Sequence, residues 1–281
     1  MGAVDDVKRL EVDSHDERFD ALTALLRERD VPYAVERFTI AQRGAEPRTE
    51  GRNVIVTLGQ GPSGGGAPRE NTELIVGAHY DAIRLKDGSL SRGAVDNGAS
   101  AVILVRLAEA LRKQPPVRQR VRLIFFDLEE AGLSGSAKYV EAHGIAGIGN
   151  VVNLDINGYG DTVVYGDLQS ARNVALRRSL VETCAAKDIS CVGLAQMPPG
   201  DDRSFSSAGI PAVSMGILPG LEVHQLWLMR QGGKESGLAP GTLPAIFRTI
   251  HTSEDRSDKL DPKAMERVFD LVLALVRHLA P

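Results

Sequence analysis

The chain has 281 residues, of which 43% are hydrophobic and 25% charged, and its formal net charge is -4. This balance fits one large globular domain with an ample core, and it excludes the basic stripe of a nucleic-acid-binding protein. No apolar run reaches the length of a membrane span, and the opening MGAVDDVKRLEVDSHDE lacks the apolar stretch of a signal peptide. The expectation is a cytoplasmic protein, with a secreted or periplasmic mature form left open.

Residues 16–29 set Phe19, Leu22, Leu25 and Leu26 at helical spacing. YAVERFTI and NVIVTL read as strands, and the Gly/Pro-rich GQGPSGGGAPREN reads as a loop. ELIVGAHYD is an apolar run ending in His79 and Asp81. The small-residue loop SRGAVDNGAS leads into a helix with Ala101, Leu104, Val105, Ala108 and Leu111 on one face, and Asp96 and Asn97 stand where its N-cap is expected. VRLIFFD is the next strand, SGSAKYVEAHG the next helix, and NVVNLD and VVYGD are further strands. A helix over about 171–187, a short strand over about 189–194 and the buried strand IPAVSMGI follow. The last helix, about 262–280, has a broad apolar face made by Met265, Val268, Phe269, Val272, Leu275, Val276 and Leu279. Continuous apolar strands alternating with helices predict an α/β fold whose sheet is mixed and covered on both faces. With no internal repeat and no linker in view, residues 1–281 are expected to form a single domain.

The two cysteines, Cys184 and Cys191, match no zinc-finger spacing. They are expected to be small, reduced core residues, in keeping with a cytoplasmic setting. His15, His143 and His278 match no motif and are expected at the surface.

The strand ends carry the chemistry. ELIVGA ends in His79, the loop before the first central helix holds Asp96, VRLIFFDL ends in Glu129 and Glu130, NVVNL ends in Asp155, and TIHTSED supplies His251. Open α/β sheets bind ligands beyond the carboxyl ends of their strands, so these groups are expected on one rim. Crowded carboxylates repel unless a cation lies among them. A set of histidines and carboxylates without thiolate suits zinc or a related divalent metal, and this set suffices for two ions. Taken singly, each residue has a plainer explanation: a core histidine, a helix cap, a solvated strand end or a surface turn. Five such stretches in one order argue for a shared site.

The segments GAHYDA, GAVDNGAS, FFDLEEAGLSGS, VVNLDI and TIHTSED together resemble the M28 family of zinc-dependent aminopeptidases, over about residues 73–260. The resemblance implies a three-layer α/β/α sandwich around a mixed, mostly parallel central sheet, with two Zn2+ ions per chain. By position, His79 and Asp155 would hold one metal, Glu130 and His251 the other, and Asp96 would bridge them. Glu129 would be the general base, taking a proton from the attacking water and passing it to the leaving amine. Asp81, two residues past His79, would share its direction on an extended chain and orient its imidazole. The implied reaction is removal of the N-terminal residue from a peptide or small aminoacyl substrate, with no nucleic-acid or membrane partner.

Two other functions fit the same motifs: a glutaminyl-peptide cyclotransferase using a single zinc, and a catalytically dead binding module on the same scaffold. The full ligand set favours the peptidase. The chain departs from the family pattern in DDRSF, residues 201–205, where Arg203 replaces a customary His and leaves Asp202 either functional or in a loop salt bridge. It also has no Tyr between 190 and 250 to steady an oxyanion, which leaves His224 or Trp227 as donors. Residues 218–248 are expected as an insertion near the substrate mouth, and Ile156 and Ile250, beside metal ligands, as lining for an apolar pocket.

Overall fold

The computed structural model describes residues 2–41, 49–59, 73–117, 119–166, 171–195, 197–232, 237 and 242–280. Most of the Gly/Pro-rich segment 59–71, and part of the expected insertion, lie outside the described residues. Among the described residues, eight strands form one sheet: β1 (Ala34–Thr39), β2 (Glu50–Leu58), β3 (Glu73–His79), β4 (Arg120–Phe126), β5 (Ile148–Leu154), β6 (Thr162–Gly166), β7 (Cys191–Leu194) and β8 (Ala212–Leu218). Their order is β1-β2-β4-β3-β5-β8-β6-β7. The four central strands β4, β3, β5 and β8 run parallel, β1 and β2 are antiparallel additions, and β6 is antiparallel to β8 and parallel to β7. The sheet is therefore mixed, as expected.

The helices are α1 (Ala3–Lys8), α2 (His15–Glu28), α3 (Ala99–Lys113), α4 (Ser134–His143), α5 (Val174–Ala186), α6 (Asp202–Ser207), α7 (Gly220–Gly232) and α8 (Pro262–Leu279). Strand alternation sorts the core into two faces. Val54, Val56, Leu74, Val76, Leu123 and Phe125 point to one side, where they pack with buried side chains of α1, α2, α3, α5 and α8. Ile55, Ile75, Ile124 and Phe126 point to the other, where they meet Tyr139 of α4 and Phe205 of α6. A third cluster joins Val164, Leu194 and Leu218 to Val223 and Leu226 of α7. Helices thus cover both faces, which gives the α/β/α arrangement.

Local chemistry explains where several elements begin. In α2, Ser14 accepts the Glu17 amide at 3.2 Å while the Glu17 carboxylate takes the Ser14 amide at 3.1 Å, a reciprocal capping box. In α8, Asp261 caps the Lys263 amide and Pro262 occupies the first turn, where its missing N–H is not needed. The α8 face predicted from sequence is buried at Met265, Val268, Val272, Leu275 and Val276. Each such side chain contributes about 1.5–3 kcal/mol through burial.

Sequence expectation and structure part at three places. The two cysteines are not free: Cys184 near the end of α5 and Cys191 at the start of β7 form a disulfide, because the short turn between them brings their Cα atoms to 6.4 Å. His15 is buried at the first turn of α2, whereas His143 and His278 are exposed. Asp96 does not cap α3; Gly98 occupies that position without a side-chain cap. Within the stretch expected as an insertion, residues 220–232 form a helix whose Val223 and Leu226 pack with Val164, Leu194 and Leu218. Its Trp227 is 42% exposed, and His224 is exposed as well.

Candidate metal centre

The site lies where the parallel strands end. β3 delivers His79 as its last residue. Gly77, two residues earlier, has no room for a side chain: a Cβ there would stand 2.5 Å from the Phe126 ring. The chain then passes through Tyr80 and Asp81, both buried, toward the Asp96 loop.

At the end of β4 the strand stops before the two glutamates. Asn53 of β2 accepts the Asp127 amide at 3.1 Å, and the Asp127 carboxylate takes the amides of Arg52 and Leu128, both at 2.9 Å. Leu128 has a φ of 58°, which reverses the backbone. The carbonyl of Glu129 then accepts from Gly132 and Leu133 in a tight turn. Glu129 and Glu130 are consequently freed from the strand's two-face alternation, so adjacent acids can approach one site. The turn fits because Gly135 opens α4: a Cβ there would lie 2.3 Å from the Asp127 carbonyl oxygen. Ile156 and His251 also have positive φ, 59° and 58°. Non-glycine residues in that region cost about 1–3 kcal/mol each and cluster where a site constrains the chain.

The expected ligands converge. His79 Nε2 lies 3.2 Å from Asp96 Oδ1 and 3.7 Å from Asp155 Oδ1. His251 Nε2 lies 3.2 Å from Asp96 Oδ2 and 3.2 Å from Glu130 Oε2. Two three-residue groups result, His79 with Asp96 and Asp155, and Asp96 with Glu130 and His251, each with donor atoms within 4.8 Å of one another. Asp96 belongs to both groups and turns one oxygen to each. Asp81 stands behind, its Oδ1 3.3 Å from His79 Nδ1, and its two oxygens accept the Glu129 and Glu130 amides at 3.1 and 3.2 Å.

The electrostatics are those of a site short of positive charge. Burial would lower the pKa of His79, but the charge of Glu129 and the nearby carboxylates of Asp155, Asp81 and Asp96 hold it well above its ordinary value. His251 is pushed up to about 10 by its hydrogen bonds with Asp96 and Glu130. Asp96, although buried, is held below the usual carboxylate range by His251 and His79. Burial pushes Glu130 up to about 7, with the Asp96 charge adding to it, and pushes Glu129 well up despite nearby His79. In a metal-free site the histidines thus supply the cation by protonation. Glu130 Oε1 and Asp155 Oδ1 are buried without a hydrogen-bond donor among the described residues. Oxygen atoms left open beside two imidazoles fit one or two divalent cations of zinc's preference.

Sequence reasoning gave Asp201 no role and left Asp202 undecided. Both are buried at the start of α6, and burial pushes each up to about 7. A Cβ on Gly200 would lie 3.3 Å from Asp202 Oδ1 and 3.6 Å from Asp155 Oδ2, so this segment passes directly beside the ligand set. The paired acids DD were visible in the sequence, but their neighbourhood depends on how β8 follows β5. Arg203 is exposed and forms no salt bridge with Asp202 among the described residues. Ile156 and Ile250 are partly buried and pack against the cluster that includes Val95 and Ile246.

A histidine–carboxylate centre on the carboxyl rim of a mixed α/β sheet defines a metallohydrolase-like architecture. The chain belongs to peptidase family M28, whose model matches residues 53–276. It is 29% identical over 232 residues to a probable lipoprotein aminopeptidase, LpqL, of Mycobacterium tuberculosis, covering 76% of this chain and 42% of that protein. Among solved structures it resembles a zinc aminopeptidase from Bacillus subtilis (22% identity, TM-score 0.62, 83% of this chain and 51% of the other). It also resembles a glutaminyl cyclase from Porphyromonas gingivalis (19% identity, TM-score 0.70, 98% and 94%). These structural likenesses show the fold. The chain spans about half or less of the length of the curated relatives it matches. Among the described residues no helix is long and apolar enough to cross a membrane.

Proposed function

We propose that this chain is a zinc-dependent aminopeptidase that removes the N-terminal residue of a peptide or small aminoacyl substrate, with two metal ions per chain. The observation that carries this reading is Asp96, whose two oxygens lie 3.2 Å from His79 and 3.2 Å from His251. His79 and Asp155 would hold one ion, Glu130 and His251 the other, and Asp96 both. When bound, such ions supply Lewis acidity toward a peptide carbonyl and lower the pKa of water. The chain's own residues do the rest. Glu129 takes the proton of the attacking water and returns it to the leaving amine; its raised pKa in the metal-free protein suits a group that must hold that proton between steps. Asp81 orients His79 and fixes the turn that presents Glu129.

The test compares peptides beginning with Leu, Ala, Arg and Gln. Release of the free N-terminal amino acid supports the proposal. Cyclisation of the Gln peptide without hydrolysis would replace it with the cyclotransferase reading, and neither reaction in the metal-loaded protein would favour a binding module.

The Cys184–Cys191 disulfide bears on compartment. Such bonds persist in oxidising surroundings and are rare in a reducing cytoplasm, so it favours a secreted or periplasmic setting over the cytoplasmic one expected from sequence.

A further inference from the structure

The groups that hold the ligand segments in place are themselves side chains of other segments. Asp81, beside His79, holds the amides of Glu129 and Glu130. Asn97, beside Asp96, brackets Asp155: its Nδ2 donates to the Leu154 carbonyl at 2.8 Å and its Oδ1 accepts the Ile156 amide at 3.1 Å. Asp255, four residues after His251, accepts the Val95 amide at 2.6 Å on one oxygen and the Asp96 amide at 3.2 Å on the other. Its own carbonyl accepts the Ala94 amide at 3.4 Å.

Asp255 is 1% exposed, and its two oxygens are directed at main-chain N–H groups. Those amides need it. Asp96 has φ -117° and ψ 88°, so its segment departs from helical geometry. Without Asp255 two buried donors would lose these acceptors. On the far side of the same loop, the fully buried Arg18 donates to the carbonyls of Tyr80, Leu10, Arg92 and Gly93. Its charge offsets those of Asp255, Asp81 and Asp96.

We infer that Asp255 is a positioning residue: from the segment that carries His251, it fixes the Asp96 backbone so that the Asp96 carboxylate divides its oxygens between the two imidazoles. This rests on the proposal that Asp96 is shared by two metals. No ligand would come from Asp255 itself. Its effect is to couple the placement of His251 to that of Asp96, so the two groups of donors form together.

The experiment titrates metal-free wild type and Asp255→Asn with Zn2+ against a competing chelator, and with Co2+ while recording the visible absorption of the bound ion. Asn173→Ala serves as control, because Asn173 likewise makes two buried bonds to main chain, at Ala212 on β8, away from the ligand set. The expected result is a weakening of zinc affinity by about 10–100-fold in Asp255→Asn, with an altered cobalt spectrum. Asn173→Ala should melt earlier yet bind both metals as wild type does. Asp255→Asn with wild-type affinity and spectrum would overturn the inference and reduce Asp255 to a stabilising residue. Wild type that binds no metal would overturn the underlying proposal instead. If Asp255→Asn yields no folded protein, Asp255→Ser, smaller and able to accept one amide, carries the same expectation and the same refutation.

Discussion

His251 Nε2 stands 3.2 Å from Glu130 Oε2, although β5, β6, β7 and β8 all intervene between them in the chain. If these two residues share one metal with Asp96, removing different members has different consequences. His251→Ala should lower zinc content from two ions per chain to about one after dialysis. Asp96→Ala takes a ligand from both groups and should lower it below one. Elemental analysis of each variant decides, and equal losses from the two would argue against a shared carboxylate.

Glu129 is beside the ligand set without being counted in either group of donors. Glu129→Gln keeps the shape and removes the proton acceptor. Turnover should fall by about 10²–10⁴-fold, the usual worth of a positioned general base, while zinc content stays at the wild-type value. Steady-state kinetics paired with elemental analysis make the check, and undiminished kcat would take Glu129 out of the mechanism.

The metal-free protein should become less stable as pH rises. Glu130, Asp201 and Asp202 are pushed from ordinary values of 4.5, 3.8 and 3.8 up to about 7, and His251 from 6.5 up to about 10. For each, the folded state binds more protons than the unfolded state between those two values. Stability therefore falls through the interval, from about pH 4 to 7 for the acids and through pH 10 for the histidine. Asp96, held low, acts oppositely, but only below its ordinary pKa of 3.8. Thermal melts of chelator-treated protein should give a higher Tm at pH 5 than at pH 8. Added zinc displaces the same protons and should raise Tm more at pH 8. A metal-free Tm that climbs between these pH values would contradict the arrangement of charges described here.

The Cys184–Cys191 bridge closes a loop with a separation of seven residues. Loop-entropy arithmetic gives about 2.5 kcal/mol for a ring of that size, or about 4 °C in Tm for a chain of this length. Replacing both cysteines by Ser should lower Tm by that amount. Reductant should lower the wild type toward the same value and leave the double variant unchanged.

Much of the fold was legible because buried parallel strands are written as continuous apolar runs, and His79, Glu130 and Asp155 sit where such runs stop. VRLIFFD and ELIVGAH needed no partner to be recognised. The short helices α1 and α6 have too few turns to show a period, and α7 mixes apolar residues on several sides, so its identity depends on the sheet it covers. The disulfide escaped because seven-residue spacing says nothing until the turn after α5 is known. Arg18, Asn97 and Asp255 escaped for a different reason. They bind main-chain amides and carbonyls of distant segments, and a main-chain group leaves no mark on the sequence of the residue that holds it.

The dependence of Asp96 on Asp255 also sets an order of events during synthesis. Chains grow from the N-terminus, and earlier portions begin to fold first. A nascent chain that has released β3, β4 and β5 already carries His79, Asp96, Glu129, Glu130 and Asp155. It still lacks both the second imidazole and the carboxylate that steadies Asp96. On the proposed reading, the second group of donors is therefore complete only once residues 251–255 have been made and docked, so a chain that ends earlier cannot hold the second metal as the finished one would.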